Sequence, residues 1–207
     1  MRLSAWSITV DRVVGVSQLS FFSAETDEPS LDDLAGLLAA SGQSVTFAGG
    51  VRVSVVVDSQ WRAQALADEI SETGLTVHVG VSDEGSPLVR TESTSRLRDL
   101  HQQWTRGAIK TMPAGWVPSP RSLRMWTLAA GDRESDRYLL ALDPHAGESH
   151  APLATAVMRA GIAPTLVGTR GHHPALRIAG KRRLTRLLES IGDPPSVPGA
   201  AEHWPTL

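Results

Sequence analysis

Two hydrophobic periods alternate along the chain, and the order in which they alternate recurs. In LDDLAGLLAAS, residues 31 to 41, apolar positions fall at helical spacing. Ser30, with Asp33 three residues on, offers an approximate capping box, and Gly42 supplies the stop. QSVTF and VRVSVVVD then alternate with period two around Ala48-Gly49-Gly50, the pattern of a hairpin. SQWRAQALADEISETG predicts a second helix with Ser59 as its cap and Gly74 as its stop. LTVHVGV and PLVRTES predict a second hairpin around Asp83-Glu84-Gly85, and SRLRDLHQQW a third helix. Residues 31 to 105 therefore read α-β-β-α-β-β-α.

After TMPAGWVPSP, residues 111 to 120, which reads as a linker, the order returns. PRSLRMWTLAAG predicts a helix with Pro120 near its start and Gly131 at its end. RYLLALD predicts a strand, HAPLATAVMRAG a helix, PTLVGT and ALRIAG two strands, and GKRRLTRLLESIG a final helix. One short strand, near residues 131 to 136, is weak or missing. Gly42 and Gly131 end corresponding helices 89 residues apart, so the chain reads as two copies of one unit. The expected organisation is an N-terminal extension (1–30), a first repeat (31–110), a second repeat (111–192) and a flexible tail (193–207). SAETDEPS, residues 23 to 30, reads as a disordered acidic hinge.

Charge also divides between the two halves of the chain. Residues 1 to 89 hold 4 Arg and no Lys against 12 acidic residues, while residues 90 to 207 hold 16 basic against 10 acidic, within a net charge of −2. Such a division suggests two partners, or two solvated faces of unequal charge. Cys is absent, which excludes disulfides, thiolate metal sites and a Cys nucleophile. No apolar run approaches the roughly 18 residues of a membrane span, and the N-terminus lacks a signal-peptide core, so a cytoplasmic protein is expected. There is no GxSxG, P-loop or GxGxxG. His172-His173 could suggest a metal pair, but neighbours on a strand point to opposite faces, and a loop is the better reading. Trp61, Trp104 and Trp126 fall on predicted helices as core residues, whereas Trp116 sits in the linker without an evident role.

LAGLLAASG, residues 34 to 42, resembles the LAGLIDADG motif of the homing endonucleases, and the element order around it is that family's order. LRMWTLAAG, residues 123 to 131, is a weaker second copy, with Met125 where the first has Gly36. The resemblance covers residues 31 to 192 and implies an α+β fold of tandem pseudo-twofold repeats. In it the two motif helices cross closely, Ala35, Gly36 and Ala39 supply the small residues, and the sheets straddle a DNA duplex. It also marks a departure. The family's two metal-binding carboxylates fall at Ser41 and Ala130, neither of which offers a hard anionic oxygen for Mg²⁺. The expectation is a scaffold without nuclease chemistry and with no cofactor. Asp132, past the second motif's glycine, is the residue on which a residual metal-dependent activity would rest. Degenerate copies of this fold also accompany a helix-turn-helix in an actinobacterial sporulation regulator, and no helix-turn-helix is visible here.

QLSFF (Gln18, Leu19, Ser20, Phe21, Phe22) resembles the peptide by which bacterial polymerases and repair proteins hold the DNA sliding clamp. Gln18 would hydrogen-bond at the rim of an apolar pocket, and Leu19, Phe21 and Phe22 would fill it. The other reading of VVGVSQLSFF is an N-terminal strand packed on its own domain. In KRRLTRLLESIG, Leu184, Leu187, Leu188 and Ile191 face a core and Arg182, Arg183 and Arg186 the other side, with Lys181 at the edge. With Arg170 and Arg177 these could contact DNA phosphates, or the helix face is simply solvated. The leading expectation is a non-catalytic accessory protein of replication or repair, docked on the sliding clamp, with duplex DNA touched through the second half. The alternative is a DNA- or RNA-binding regulator that makes no clamp contact.

Overall fold

In a computed structural model, residues 23–171 and 173–207 are described. A 3-10 turn, Leu31–Leu34, runs into helix α1, Ala35–Ala39. The Asp33 carboxylate accepts the Ser30 N–H at 2.7 Å while Ser30 Oγ accepts from the first turn, so the reciprocal cap forms. At the other end the Gly42 N–H returns to the Leu37 carbonyl at 2.9 Å. Fixed at both ends, the predicted helix 31–41 is shorter and more tightly wound than its apolar spacing suggests.

Strands β1 (Gln43–Phe47) and β2 (Gly50–Val56), helix α2 (Gln60–Glu72) and strands β3 (Val77–Val81) and β4 (Pro87–Thr91) follow. A 3-10 turn, Ser95–Leu97, leads into helix α3, Arg98–Trp104. A small ribbon, β5 (Thr105–Arg106) with β6 (Ile109–Lys110), follows α3. The order then repeats as α4 (Pro120–Ala130), β7 (Gly131–Glu134), β8 (Arg137–Ala141), α5 (Gly147–Arg159), β9 (Thr165–Val167), β10 (Ala175–Ala179) and α6 (Lys181–Ile191). Ser59 stands before α2 as expected, yet its hydroxyl makes no cap bond and is buried without a partner.

The two four-stranded antiparallel sheets have the same order, β1-β2-β4-β3 and β7-β8-β10-β9. The weak strand is β7: GDRE has little apolar content, and the ladder from Gly131 opposite Leu140 to Glu134 opposite Arg137 holds it. Alternation sets the two faces of each sheet. Val51, Val53, Val55 and Val89 of the first sheet, and Tyr138, Leu140, Leu176 and Ile178 of the second, are buried in one continuous core with the helices. The motif helices α1 and α4 pack within that core. A Cβ on Gly36 would collide with the Ser122 carbonyl oxygen and lie 2.9 Å from the Trp126 nitrogen, so only glycine fits the crossing. Met125, where the second motif lacks glycine, is fully buried.

Part of the charge division is settled inside the molecule. Arg121 and Arg124 of α4 are buried, and acidic groups of the first half meet them. Arg121 lies 3.2 Å from Asp33, 3.1 Å from Glu69 and 2.7 Å from Glu72; Arg124 Nε lies 2.5 Å from Glu69. Arg124 also donates to the carbonyls of Ile191 and Asp193 at the end of α6.

Two segments expected to be loose are packed. Ser23 and Ala24 are buried, the Ala24 N–H donates to the Ser190 carbonyl at 2.8 Å, and Glu25 accepts the Asp193 N–H at 2.8 Å. The C-terminal residues form a short helix, α7 (Ala200–His203), and bury Trp204, whose indole N–H donates to the Gly192 carbonyl at 3.0 Å. His203 stacks on Trp61 at 5.7 Å between ring centroids. Composition hid these anchors because two hydrogen bonds hold the first polar segment and one buried aromatic ring the second. Trp116 has the same role in the linker, edge-on to Trp104 at 5.0 Å. No helix of the described residues is long and apolar enough to cross a membrane.

Candidate nucleic-acid interface

The ends of the motif helices, where the resemblance places two carboxylates, are closed by cations. Beyond α1, Ser41 is exposed, and the Lys110 ammonium donates to the carbonyls of Ala40 at 2.5 Å and Gly42 at 3.0 Å. The same ammonium lies 3.0 Å from Asp143, which also accepts from the Gln43 amide at 3.1 Å. Beyond α4, Arg62 donates to the carbonyls of Thr127 at 3.2 Å and Leu128 at 2.9 Å, and to that of Gly131. Arg62 in turn pairs with Asp58 at 3.0 Å. Cations satisfy the orphan carbonyls and the negative end of a helix dipole.

The arrangement obeys the pseudo-twofold. Asp58 and Asp143 each stand two residues past the second strand of their repeat. Each neutralises the cation that closes the opposite repeat's motif helix. Burial pulls the Lys110 ammonium below its ordinary pKa, with Asp143 opposing. Burial opposes ionisation of Asp143 too, but Lys110 and the His145 N–H outweigh it and hold that carboxyl below its usual value. This donor set does not suit Mg²⁺. A hard dication needs several anionic oxygens; Asp143 and Asp58 are paired with Lys110 and Arg62, which among the described residues leaves Asp132, just past Gly131, as a lone carboxylate beside the second helix end. No cluster of three or more His, Asp or Glu side chains that could hold a metal occurs among the described residues.

The face of each sheet turned away from the core is open. In the first sheet, ladder register places Gln43, Ser54, Arg90 and His78 in one row and Val45 beside Arg52 in the next. In the second, Asp132, Leu139, Arg177 and Thr165 form the matching row, with Glu134 and Ala179 flanking Arg137 in the next. Counting back from Asp58 and Asp143, Arg52 corresponds to Arg137, and by register Arg90 corresponds to Arg177. The duplicated fold thus puts arginine at the same two places on both open faces. Arg52, Arg90 and Arg177 make no hydrogen bond or ion pair with the described residues, whereas Arg137 pairs with the adjacent Asp136 at 3.4 Å.

The predicted basic cluster is divided by this geometry. Arg177 lies on the open face, since its neighbours Leu176 and Ile178 are in the core. Lys181, Arg182, Arg183 and Arg186 lie on α6, which packs through Leu184, Leu187 and Ile191 on the core side of the same sheet. They line an open groove of about 890 Å³ with Gly161 and Ala163. Arg170 is exposed in the loop between β9 and β10. Gln18 to Phe22 lie outside the described residues, and so does His172.

Sequence reasoning missed Lys110, Arg62, Arg52 and Arg90. The two helix-end cations carry no local signal, being brought to the carbonyls from 68 to 70 and from 65 to 69 residues away. Arg52 and Arg90 did carry one: each sits at a polar position of a strand whose alternate residues are buried valine or threonine.

No protein-family model and no curated protein matches the chain. Solved structures do. The homing endonuclease I-WcaI bound to its DNA recognition sequence superposes with a TM-score of 0.61 at 9% identity, over 91% of this chain and 95% of that one. The N-terminal LAGLIDADG domain of DUF199/WhiA gives 0.55 at 16% identity, over 86% and 88% of the two chains. Full-length DUF199/WhiA from Thermatoga maritima gives 0.58 at 16% identity over 89% of this chain, which spans 60% of that protein. The chain therefore has the LAGLIDADG-like fold, as the duplicated element order leads one to expect.

Proposed function

We propose that the protein is a non-catalytic nucleic-acid-binding module that lays the open faces of its two sheets against duplex DNA. The observation that carries this reading is the repeated placement of Arg52 with Arg90 and Arg137 with Arg177 on those faces. A solved relative in fold is bound to its DNA recognition sequence. Unpaired guanidiniums on an open sheet suit phosphate oxygens and base edges. Ser41 and Ala130 at the helix ends, and the ammonium and guanidinium that occupy the surrounding carbonyls, support the non-catalytic reading. A metal-bound water has no anionic cradle there.

Duplex binding measured across salt concentrations tests the reading. Each arginine that contacts a phosphate contributes about 0.9 to the slope of log K against log salt. The Arg52→Ala, Arg90→Ala variant should lose about 2 from that slope, and Arg182→Ala, Arg183→Ala, Arg186→Ala should lose less. A larger loss in the α6 variant, or an unchanged slope in the strand variant, moves the contact off the open faces. Supercoiled plasmid should stay intact with Mg²⁺.

A sliding-clamp contact rests on the sequence of Gln18 to Phe22 alone. The acidic stretch that would tether the peptide is anchored to α6 from Ser23 onward. Binding of purified clamp, lost on changing Leu19, Phe21 and Phe22 to Ala, is the measurement that supports it.

A further inference from the structure

The two open faces differ where the first hairpin of each repeat turns. Ladder register pairs Val45 with Arg52 in the first repeat and Glu134 with Arg137 in the second, and the second hairpin turns at once through Ser135-Asp136, so Phe47, which pairs with Gly50, has no counterpart there. Arg137 is neutralised by its neighbour Asp136 at 3.4 Å. Arg52 instead lies over the Phe47 ring, 4.4 Å from its centroid. Its Nε is buried with no partner. Phe47 is 51% exposed although it belongs to a strand. The chain has 3 Phe in all, and the other two, Phe21 and Phe22, fall in QLSFF.

Ring and guanidinium stand at one end of a cavity of about 380 Å³ that crosses the open face to Leu88, Arg90, His78 and Glu92. Its far end offers a hydrogen-bonding pair, His78 Nε2 at 3.2 Å from Glu92. The contents are those of a base-binding site: a flat apolar surface, a flat cation beside it, and polar groups where a base edge would lie. In an intact duplex the bases are stacked on one another, so a ring reaches a base face without the cost of prising a step apart only where that base is unpaired.

We infer that the Phe47–Arg52 cavity on the first sheet is a stacking site for an unpaired nucleotide within a DNA strand. The base lies against the ring and guanidinium, and Arg90 meets the adjoining phosphate. The second sheet, with Glu134 in the place of Val45 and no residue in the place of Phe47, has no such site and contacts only paired DNA. The inference rests on the duplex-binding reading above and gives the two halves different tasks.

The test uses the full chain, two labelled DNAs (a perfect duplex and the same duplex with one extra unpaired 2-aminopurine) and free 2-aminopurine riboside as competitor. Wild-type protein should bind the bulged duplex about tenfold more tightly than the perfect one, the size of one base–aromatic stack, and should quench the 2-aminopurine. Phe47→Leu should bring the ratio of the two affinities to about one and abolish the quenching. Phe47→Tyr should keep both, which separates loss of stacking from loss of fold. Riboside at strand-equivalent concentration should not compete, since it lacks the phosphate. Equal affinity of wild-type protein for both duplexes overturns the inference and leaves the duplex reading standing, as does a preference that survives Phe47→Leu. Competition by the free riboside overturns the assignment to a strand. Failure to bind either DNA at low salt removes both readings together.

Discussion

Lys110 and Asp143 meet at 3.0 Å across the junction of the two repeats, both almost wholly buried, with the ammonium closing the carbonyls of Ala40 and Gly42. Removing one member strands the other. Lys110→Met should destabilise the fold by about 3–5 kcal/mol, the range for breaking a buried pair on one side. Lys110→Met combined with Asp143→Leu should recover much of that loss, because no bare carboxylate is left behind. Urea unfolding of the two single variants and the double variant measures the coupling.

The same pair gives acid unfolding a sign. Asp143 is held below its ordinary value of 3.8 in the folded chain, so it contributes stability above that value. The contribution is lost as pH falls through the folded value. Asp33 has the opposite sign: burial raises its carboxyl despite the Ser30 N–H and Arg121. Its contribution is greatest below its unfolded value and is lost as pH rises through the folded one. Both chains keep Asp33, so the wild type minus Asp143→Asn difference isolates Asp143. That difference in unfolding free energy should shrink steadily between about pH 5 and pH 2. A difference that grows on acidification contradicts the pairing.

Gly36 is the contact point of the motif helices, where an added Cβ meets the Ser122 carbonyl oxygen. The obstruction is backbone, so no side chain can swing aside. Gly36→Ala should cost about 1–3 kcal/mol and Gly36→Val more. Thermal unfolding reads the loss. Gly85, whose Cβ would meet nothing within 4 Å, has a positive φ of 84°, so Gly85→Asn is the control that changes local strain without touching the helix crossing.

Trp204 closes the C-terminal segment against Gly192, and the Arg124 guanidinium lies 5.3 Å from its ring. Trp204→Ala should cost about 3 kcal/mol. Truncation after Asp193 should cost at least as much. Both should make the end of α6 accessible to protease, which a segment without tertiary contacts would not do.

Much of the fold was legible in the sequence because its elements declare themselves locally. VRVSVVVD alternates strictly, Gly42 and Gly131 stop equivalent helices, and Ser30 with Asp33 caps the first. Even the weak β7 could be placed from the gap it left in the repeat. The helix ends were legible only by what they lack: Ser41 and Ala130 show a missing carboxylate, but nothing near them shows what stands in its place. Lys110 and Arg62 arrive there through tertiary folding. The charge division misled for the same reason. Asp33, Glu69 and Glu72 are spent on Arg121 and Arg124 inside the molecule, and the acidic half still presents Arg52 and Arg90 on its open face. Nor did the amphipathic pattern of α6 reveal on which side of the sheet its arginines fall.

The dependence of each motif-helix end on a residue of the other half, Asp143 through Lys110 for α1 and Arg62 for α4, has a consequence for inheritance. A substitution at Lys110 is felt by a carboxylate 33 positions later, and one at Arg62 by carbonyls of the other copy. Descendants of this chain therefore cannot exchange one half for that of a distant cousin without leaving a ring of carbonyls open and an acid unmatched. A change in one copy at these contacts calls for an answering change in the other.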